Sequence, residues 1–433
     1  MIKELYKEKN FQGVINLHNR LNNTDNYNEW DYFYVANSFY KLKDYRNAFQ
    51  LGKKCLSNFK DFNQINNVMG WSLYQAVLKD FNDEINNVHN ITKYVDYITS
   101  NCAQEKYSPY EKSVKKIINI IYSKSNHQID YKLGNKYLDF LNPDLLSNEK
   151  NVFNINGKYI EVPSDREKWY LKKTKTLYEL KMYNKCLEVI NDALPKSKTF
   201  IMEIFSAKLG KNVERWLIYR QACCYMQLND YREASKILLE LSKSFTHWCV
   251  YEKLYEIKKN EGDFEGALKN ASIAVLTDGE HKLRVSMLES VGDYLKDNGY
   301  IKEAQYHYNL AYLIRKEEGW KNNKKLEEMI TDKTIRISNK KNTLKYLNNF
   351  WKSYKYAGVT FKRGVICKIF DGAKSGFIEG DDGNKYYFII NGFINRPKNI
   401  NIEEKVKFIP IEGFDKKKNR KSLQATDIEF IKI

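Results

Sequence analysis

Apolar residues in the first three quarters of the chain recur at the three- and four-residue spacing of helices, and the helical segments come in pairs. The clearest pair runs from about His281 to Tyr312. Gly299 falls between its two segments, where a residue without a side chain suits a tight turn. Ala304 falls early in the second segment, where a small side chain lets two helix backbones approach. The pattern predicts a helical hairpin.

The same unit repeats along the chain. Its small residue recurs as Ala234, Ala267 and Ala304, at intervals of 33 and 37 residues. Weaker copies surround Ala48, Gly70 and Ala193. Residues 85–150 fit no regular repeat. The spaced set predicts an array of helical hairpins rather than one isolated hairpin.

A repeated hairpin of this length resembles the tetratricopeptide-repeat family over about residues 1–315. The resemblance implies a mainly α-helical solenoid whose concave face binds a protein or peptide partner. It leaves open whether such an array also associates with a second copy of itself.

One insertion interrupts the helical pattern. Two β-prone runs within residues 152–162 flank Asn156-Gly157, a pair that supplies the positive backbone angles of a two-residue turn. We predict a β-hairpin inserted between helical hairpins. Such insertions either carry function or only decorate the surface, and the sequence leaves both open.

Residues 316–358 change character again. The stretch Lys316–Lys341 is densely charged, and Thr343–Lys352 reads as an amphipathic helix with Leu344, Leu347 and Trp351 on one face. We interpret residues 316–358 as a charged helical linker that ends in a helix covering the last apolar face of the solenoid.

From Thr360 the apolar residues alternate with polar ones, as they do in strands. Five such segments are Phe361–Phe370, Gly376–Gly380, Lys385–Asn391, Lys405–Ile411 and Leu423–Ile433. Turn residues such as Asp381-Asp382-Gly383 separate them. Five strands in about 70 residues predict a small, closed all-β barrel over residues 359–433.

The order of short motifs in this barrel resembles the cold-shock domain, an OB-type fold. The motifs are Gly364–Ile366, Lys374–Ile378, Asp381–Gly383, Tyr387–Ile390 and Val406–Phe408. The resemblance implies that one face binds single-stranded RNA or DNA, with aromatic side chains that stack on bases. Lysine and arginine side chains at the rim would neutralise phosphates.

Carried over residue by residue, the resemblance places Phe377 and Phe388 on the stacking positions. Strand alternation then puts Tyr386 beside Phe388, and Lys368 beside Phe370. A basic loop at 416–421 lies where OB-type barrels often contact their ligand. The expected nucleic-acid-binding residues are Lys368, Phe370, Lys374, Phe377, Tyr386, Phe388, Lys416, Lys417, Lys418, Arg420 and Lys421.

The sequence departs from the family pattern at four of its binding positions. Lys368 replaces a tryptophan, Ser375 replaces an aromatic residue, and Ile390 and Asn391 replace a histidine and an aromatic residue. Part of the stacking platform is therefore missing. These departures leave open a second hypothesis, in which the barrel has become a protein-docking module.

Charge and composition favour a polyanionic partner and give no sign of an active site. The chain carries a net charge of +18, which attracts nucleic acid or an acidic membrane surface. Its seven cysteines show no C-x-x-C spacing, its six histidines form no zinc motif, and no phosphate-binding Gly-Lys-Ser/Thr loop occurs. We expect a cytoplasmic, non-catalytic protein without cofactor, metal or membrane span.

The sequence thus predicts an adaptor. Its barrel would bind single-stranded nucleic acid, RNA more than DNA, and its solenoid would recruit a protein. Two alternatives remain: a pure protein-interaction scaffold with a degenerate barrel, and a regulatory or defence component that acts with a separate effector enzyme.

Overall fold

The expected fold class is confirmed: helical hairpins occupy most of the chain, and a closed five-stranded barrel ends it. The computed structural model describes residues 1–21, 24–82, 87–123, 129–155, 158–202, 213–320, 324–370, 372, 374–394, 397, 399–415 and 420–431. They form two compact units, Met1–Ile257 and Lys258–Ile433. The boundary between the units lies inside the segment expected to form one solenoid.

The helices and strands follow one another along the chain. The α-helices are α1 (Ile2–Lys7), α2 (Phe11–Leu21), α3 (Glu29–Lys41), α4 (Tyr45–Asn58), α5 (Gln64–Leu73), α6 (His89–Asn101), α7 (Pro109–Ile121), α8 (Tyr131–Asp139), α9 (Asp165–Glu179), α10 (Tyr183–Met202), α11 (Val213–Gln227), α12 (Tyr231–Ser242), α13 (Trp248–Asn260), α14 (Phe264–Leu276), α15 (Val285–Asp297), α16 (Ile301–Glu317), α17 (Lys324–Met329), α18 (Lys333–Arg336) and α19 (Lys340–Lys355). The strands are β1 (Asn151–Ile155), β2 (Lys158–Val162), β3 (Lys362–Ile369), β4 (Ser375–Gly380), β5 (Lys385–Ile389), β6 (Lys405–Asp415) and β7 (Arg420–Phe430).

Three of the helical hairpins turn through the same corner. An aspartate side chain accepts a hydrogen bond from the backbone N–H three residues later, at 2.9–3.1 Å, and so begins the second helix. These aspartates are Asp44, Asp230 and Asp263. The residue before each one has a positive φ of 62–73°, which ends the first helix. A common local signal therefore reverses the chain at each corner.

The small residues that recur in the repeat are buried, and a glycine makes room for the contact between α15 and α16. Ala48, Ala234 and Ala267 are fully buried, and Ala304 is 1% exposed. On α15, a Cβ atom at Gly292 would lie 2.6 Å from Cε1 of Tyr308 on α16. The glycine therefore makes room for an aromatic ring of the neighbouring helix.

In the first unit, alternate helices also contact one another: α1 with α3, α3 with α5, α5 with α7, and α9 with α11. Residues 85–150, which fit no repeat in the sequence, contain α6, α7 and α8, and α7 takes part in this packing through its contact with α5. Between α8 and α9, β1 pairs antiparallel with β2 from Asn151↔Val162 to Ile155↔Lys158. The residues between the two strands, Asn156 and Gly157, lie outside the described residues.

Residues 324–355 belong to the second unit and pack against its helices α14 and α16. Their apolar side chains Leu326, Ile330, Ile335, Leu347 and Trp351 are buried. The buried amide of Asn309 on α16 donates to the backbone oxygens of Ile335 and Ser338, at 2.9 and 3.2 Å. Helix α19 packs against both α14 and α16. The segment expected as a charged linker with a capping helix thus contributes buried apolar side chains to the contacts with α14 and α16.

A buried histidine joins α16 to α19. His307 is fully buried, and its Nδ1 donates to the backbone oxygen of Glu303 at 2.8 Å. Its Nε2 accepts from the indole N–H of Trp351 at 3.0 Å. The contact with Trp351 requires the neutral ring, because a protonated Nε2 cannot accept a hydrogen bond, and burial lowers the pKa of His307 to about 4.

The barrel closes in the strand order β3-β4-β5-β7-β6, with β6 paired back onto β3. Its core contains Ile366, Ile378, Tyr386, Phe388, Val406, Phe408 and Ile428. Helix α19 meets the barrel through ion pairs, Lys352 with Glu429 at 3.0 Å and Lys355 with Asp427 at 2.8 Å. The hydroxyl of Tyr356 also donates to Asp427 at 3.0 Å. Helices and barrel of the second unit are therefore joined by polar contacts.

Candidate nucleic-acid interface

A bulge in β3 decides which side chains face outward at the expected binding surface. The pairing of β3 with β4 shifts between Ile366 and Lys368, which leaves Cys367 as an extra residue. Ile366 points into the core, so simple alternation would also bury Lys368. The extra residue reverses this, and Lys368 lies exposed opposite Phe377.

The expected stacking role of Phe388 and Tyr386 is wrong. Both side chains are only 1% exposed and belong to the barrel core. The pairing of β4 with β5 sets Phe377 opposite Tyr387, and Gly376 opposite Phe388. Phe377 and Phe388 therefore lie on opposite faces of the sheet, and the outward aromatic residue of β5 is Tyr387.

The glycine opposite Phe388 explains why that ring points inward. A Cβ atom at Gly376 would lie 2.9 Å from the Phe388 ring and 2.0 Å from the backbone oxygen of Lys368. The ring occupies the space that any side chain at Gly376 would need. Phe377 therefore points outward from β4, and the neighbouring Gly376 leaves space on the inner face for the Phe388 ring.

Tyr386 serves the barrel in a second way. Its hydroxyl donates to a carboxylate oxygen of Asp382 at 2.7 Å and accepts from the ammonium of Lys362 at 2.8 Å. Hydrogen bonds from Lys362 and Tyr386 hold the pKa of Asp382 well below its ordinary value. Tyr386 therefore anchors the β4–β5 turn, and its ring packs against Phe408 at 4.8 Å.

Three aromatic side chains do form a continuous outer surface, which we call the barrel aromatic patch: Phe370, Phe377 and Tyr387. Their rings meet edge to face, with centroid distances of 5.6 Å for Phe370–Phe377 and 5.8 Å for Phe377–Tyr387. Phe370 is 36% exposed, and the ammonium of Lys368 lies 5.4 Å from its ring centroid. Exposed Ile389 extends the patch along β5.

The remaining expected basic residues divide into two groups. Lys374 is exposed beside the patch, at the start of the segment that leads into β4. Lys421 is exposed on β7 and pairs with Glu412 at 3.2 Å. Arg420 is the first residue of β7, paired with Asp415. Lys416, Lys417 and Lys418 lie outside the described residues.

The patch offers flat apolar rings beside cations, which is the chemistry that splayed bases and phosphates require. The described residues contain no group of three or more histidine, cysteine or acidic side chains able to hold a metal ion. Within the same residues, no helix has both the length and the apolar character needed to cross a bilayer.

Comparison with known proteins gives one family match. A family model described as a domain of unknown function (DUF7017) matches residues 215–354, from α11 to the end of α19. It covers less than half of the chain, and the barrel lies outside it. No curated protein matches the chain.

Two distant likenesses are among the solved structures that match the chain. The C-terminal part of a TPR repeat-containing protein from Cytophaga hutchinsonii is 10% identical and has a TM-score of 0.19, with 77% of this chain and 96% of that chain covered. Yeast Tom70 is 11% identical and has a TM-score of 0.23, with 80% and 83% covered. At these scores neither likeness supports a conclusion about this chain. The description of the helical hairpins rests on their own caps and packing.

Of the three residues of the barrel aromatic patch, Phe370 and Phe377 were predicted from the sequence and Tyr387 was not. The signal was present, since Tyr387 alternates with Tyr386 and Phe388 along β5. Choosing the correct face required the strand register, which only the pairing with Gly376 and Phe377 supplies.

Proposed function

We propose that the barrel binds single-stranded nucleic acid, RNA in preference to DNA, on the barrel aromatic patch. The observation that carries the proposal is the contiguous Phe370–Phe377–Tyr387 surface with Lys368 against one ring. Each base that stacks on such a ring contributes about 1–3 kcal/mol, with little dependence on base identity. The patch has room for two or three bases, so we expect modest affinity and weak sequence preference.

Charge supports the same partner. Residues 359–433 contain 15 lysines and arginines and 10 acidic residues, a net charge of +5. Lysine contacts to phosphates release condensed counterions, so binding to a single strand should weaken with salt by a slope of about 0.7 per phosphate contact. Lys368 and Lys374 are the described cations placed to make such contacts.

Fluorescence anisotropy of the full chain with labelled single-stranded RNA, and with DNA of the same sequence, tests the proposal. We expect binding at low salt, a negative salt slope, and tighter binding of RNA. A duplex should bind more weakly, because its bases are not free to stack. Binding that ignores salt, or none at low salt, would contradict the proposal.

Substitution to leucine separates stacking from simple apolar contact. Phe370→Leu with Tyr387→Leu keeps apolar side chains but removes two ring faces, and should weaken binding at least about tenfold. Ile402→Leu is the matched control, because Ile402 is a 56% exposed apolar residue outside the patch. Equal affinity of the two variants would remove the stacking claim.

A second candidate function, recruitment of a protein by the helical hairpins, rests on a different surface. Trp30 of α3 is 43% exposed and contacts Phe33, Tyr34 and Phe62 at centroid distances of 5.2–6.1 Å. Exposed tryptophan within an aromatic cluster is typical of protein interfaces. Trp30→Ala should abolish recovery of a cellular protein partner while leaving RNA affinity unchanged. Loss of RNA affinity in this variant would instead assign the surface to nucleic acid.

A further inference from the structure

A cavity of about 200 Å³ in the first unit lies between α7 and α9, far along the chain from the barrel. Its floor is apolar and is made by Ile118, Leu138, Leu141, Leu146 and Trp169, which are each 1–9% exposed. The indole N–H of Trp169 is already engaged, since it donates to the backbone oxygen of Leu138 at 2.9 Å. The floor therefore presents hydrocarbon and offers little to water.

The rim of this cavity is basic. Lys115 of α7 and Lys168 and Lys172 of α9 line it, with Asp165 as the acidic residue of the lining. The ammonium of Lys115 is neutralised by Asp165 and by buried Glu111, the latter at 2.6 Å. Asp165 is therefore committed to Lys115, and its contact with Lys168 is long, at 3.5 Å.

Lys172 is the cation that the rim does not neutralise. Its ammonium donates to the side-chain oxygen of Asn119 at 2.8 Å and lies 5.4 Å from the ring centroid of Tyr122. Among the described residues, no carboxylate lies within ion-pairing distance of it. Burial and the neighbouring charge of Lys168 lower the pKa of Lys172 to about 8. Lys168 and Lys172 thus stand above an apolar floor, and the long contact of Asp165 with Lys168 is the only ion pair that either of them makes among the described residues.

We propose that this cavity binds a small amphipathic anion, an organic acid whose carboxylate meets Lys168 and Lys172 while its apolar body fills the floor. Asp165 is paired with Lys115. The carboxylate of the ligand would therefore supply the negative charge beside Lys168 and Lys172. The apolar body would bury against five side chains that are otherwise packed. The cavity holds about 200 Å³, a volume that suits a free small acid rather than an acidic peptide segment.

Calorimetric titration of the full chain with a matched set of ligands tests the charge requirement. Phenylacetate and hexanoate should bind in the micromolar-to-millimolar range expected for so few atoms. Phenylacetamide, which has the same shape without charge, and phenethylamine, which has the opposite charge, should bind at least about tenfold more weakly. Equal affinity for phenylacetate and phenylacetamide, or no binding of either acid, would overturn the proposal.

Lys172→Met tests the residue assignment, with Lys175→Met as control because Lys175 is exposed on the same helix and outside the lining. We expect Lys172→Met to weaken phenylacetate binding at least about tenfold, and Lys175→Met to change it less than about twofold. Without ligand, Lys172→Met should melt at the same or a higher temperature, since it removes a desolvated charge. A merely structural lysine would lower the melting temperature.

Acylation footprinting gives a readout that does not depend on variants. Phenylacetate should protect Lys168 and Lys172 from an amine-reactive ester and leave Lys175 as reactive as before. Protection of all three lysines, or of none, would contradict the assigned site. Protection by an acidic peptide but not by phenylacetate would overturn the small-molecule proposal in favour of a peptide ligand.

Discussion

Two glycines, one in the helices and one in the barrel, make room for an aromatic ring by different means. At Gly292 an added Cβ atom would meet the Tyr308 side chain at 2.6 Å, whereas at Gly376 it would meet a backbone oxygen at 2.0 Å. A side chain can rotate away at modest cost, but a backbone oxygen inside a strand ladder cannot. The helical hairpin can therefore accommodate an added methyl group by moving a side chain, whereas the barrel would have to change the pairing of its strands.

The largest expected effect is on the barrel. Gly376→Ala should destabilise it by about 3 kcal/mol or more, because the new methyl group clashes with the oxygen of Lys368 and displaces the Phe388 ring. Hydrogen exchange of β3, β4 and β5 amides measures the loss. Ser375→Ala, at the neighbouring outward position, is the control and should cost less than about 0.5 kcal/mol. Similar losses for both variants would refute the argument from Gly376.

The second expected effect is that the helices around His307 lose stability at a higher pH than the barrel does. His307 has a folded pKa lowered to about 4, so the folded state binds fewer protons than the unfolded state between about pH 6.5 and 4. The stability that the neutral ring contributes is present above pH 6.5 and is lost as the pH falls through this window, by up to about 3 kcal/mol. Exchange of α16 and α19 amides, corrected for its intrinsic pH dependence, should show the loss.

The barrel should resist acid longer than the helices do. The pKa of Asp382 is lowered from an ordinary value of 3.8, so its contribution is lost only below that pH. His307→Gln should flatten the pH dependence of α16 exchange, whereas His89→Gln, at an exposed position, should not change it. Barrel amides that open in the same window as α16 amides would show that the two regions respond together.

The third prediction compares the two glycines directly. Gly292→Ala should destabilise the second unit by about 1–3 kcal/mol, and Tyr308→Leu combined with it should recover part of the loss, since the clash is with a side chain. Phe388→Leu combined with Gly376→Ala should recover little, since the backbone clash remains. Thermal unfolding of the four variants checks this, and equal recovery in both pairs would remove the proposed difference.

The smallest effect on stability is expected outside the barrel core. Tyr387→Leu should change stability by less than about 0.5 kcal/mol, because Tyr387 lies on the outer face of β5. Phe388→Leu, one residue later and fully inside, should cost about 1 kcal/mol or more. Chemical unfolding measures both. A larger loss of stability for Tyr387→Leu than for Phe388→Leu would contradict the assignment of Phe388 to the core and Tyr387 to the outer face.

Much of the fold could be predicted from the sequence, because its signals are local. Asp44, Asp230 and Asp263 mark the helical corners, and Asn156-Gly157 marks the inserted hairpin. The segment 85–150 was harder to predict, although α7 has a one-sided apolar pattern that marks it as a helix. The segment contains one alanine, Ala103, and one glycine, Gly134, so the small residue that marks the other hairpins does not recur at the repeat interval.

The candidate site was predicted only in part. Lys368, Phe370 and Phe377 are on the outer surface as expected, whereas Tyr386 and Phe388 are inside and Tyr387 takes their place. Alternation groups the residues of a strand into two faces but does not say which face is buried, and a shift of one residue exchanges them. The bulge at Cys367 is such a shift, and nothing in the sequence of β3 alone announces it.

Local sequence signals specify the set of elements: paired helices with capped corners, an inserted hairpin and five final strands. Each depends on residues a few positions apart. The tertiary structure alone decided which ring of β5 faces outward, how residues 324–355 join the helical core, and which lysines share a cavity. Those outcomes depend on residues such as Lys115 and Lys172, which are distant in the chain and meet only when α7 packs against α9.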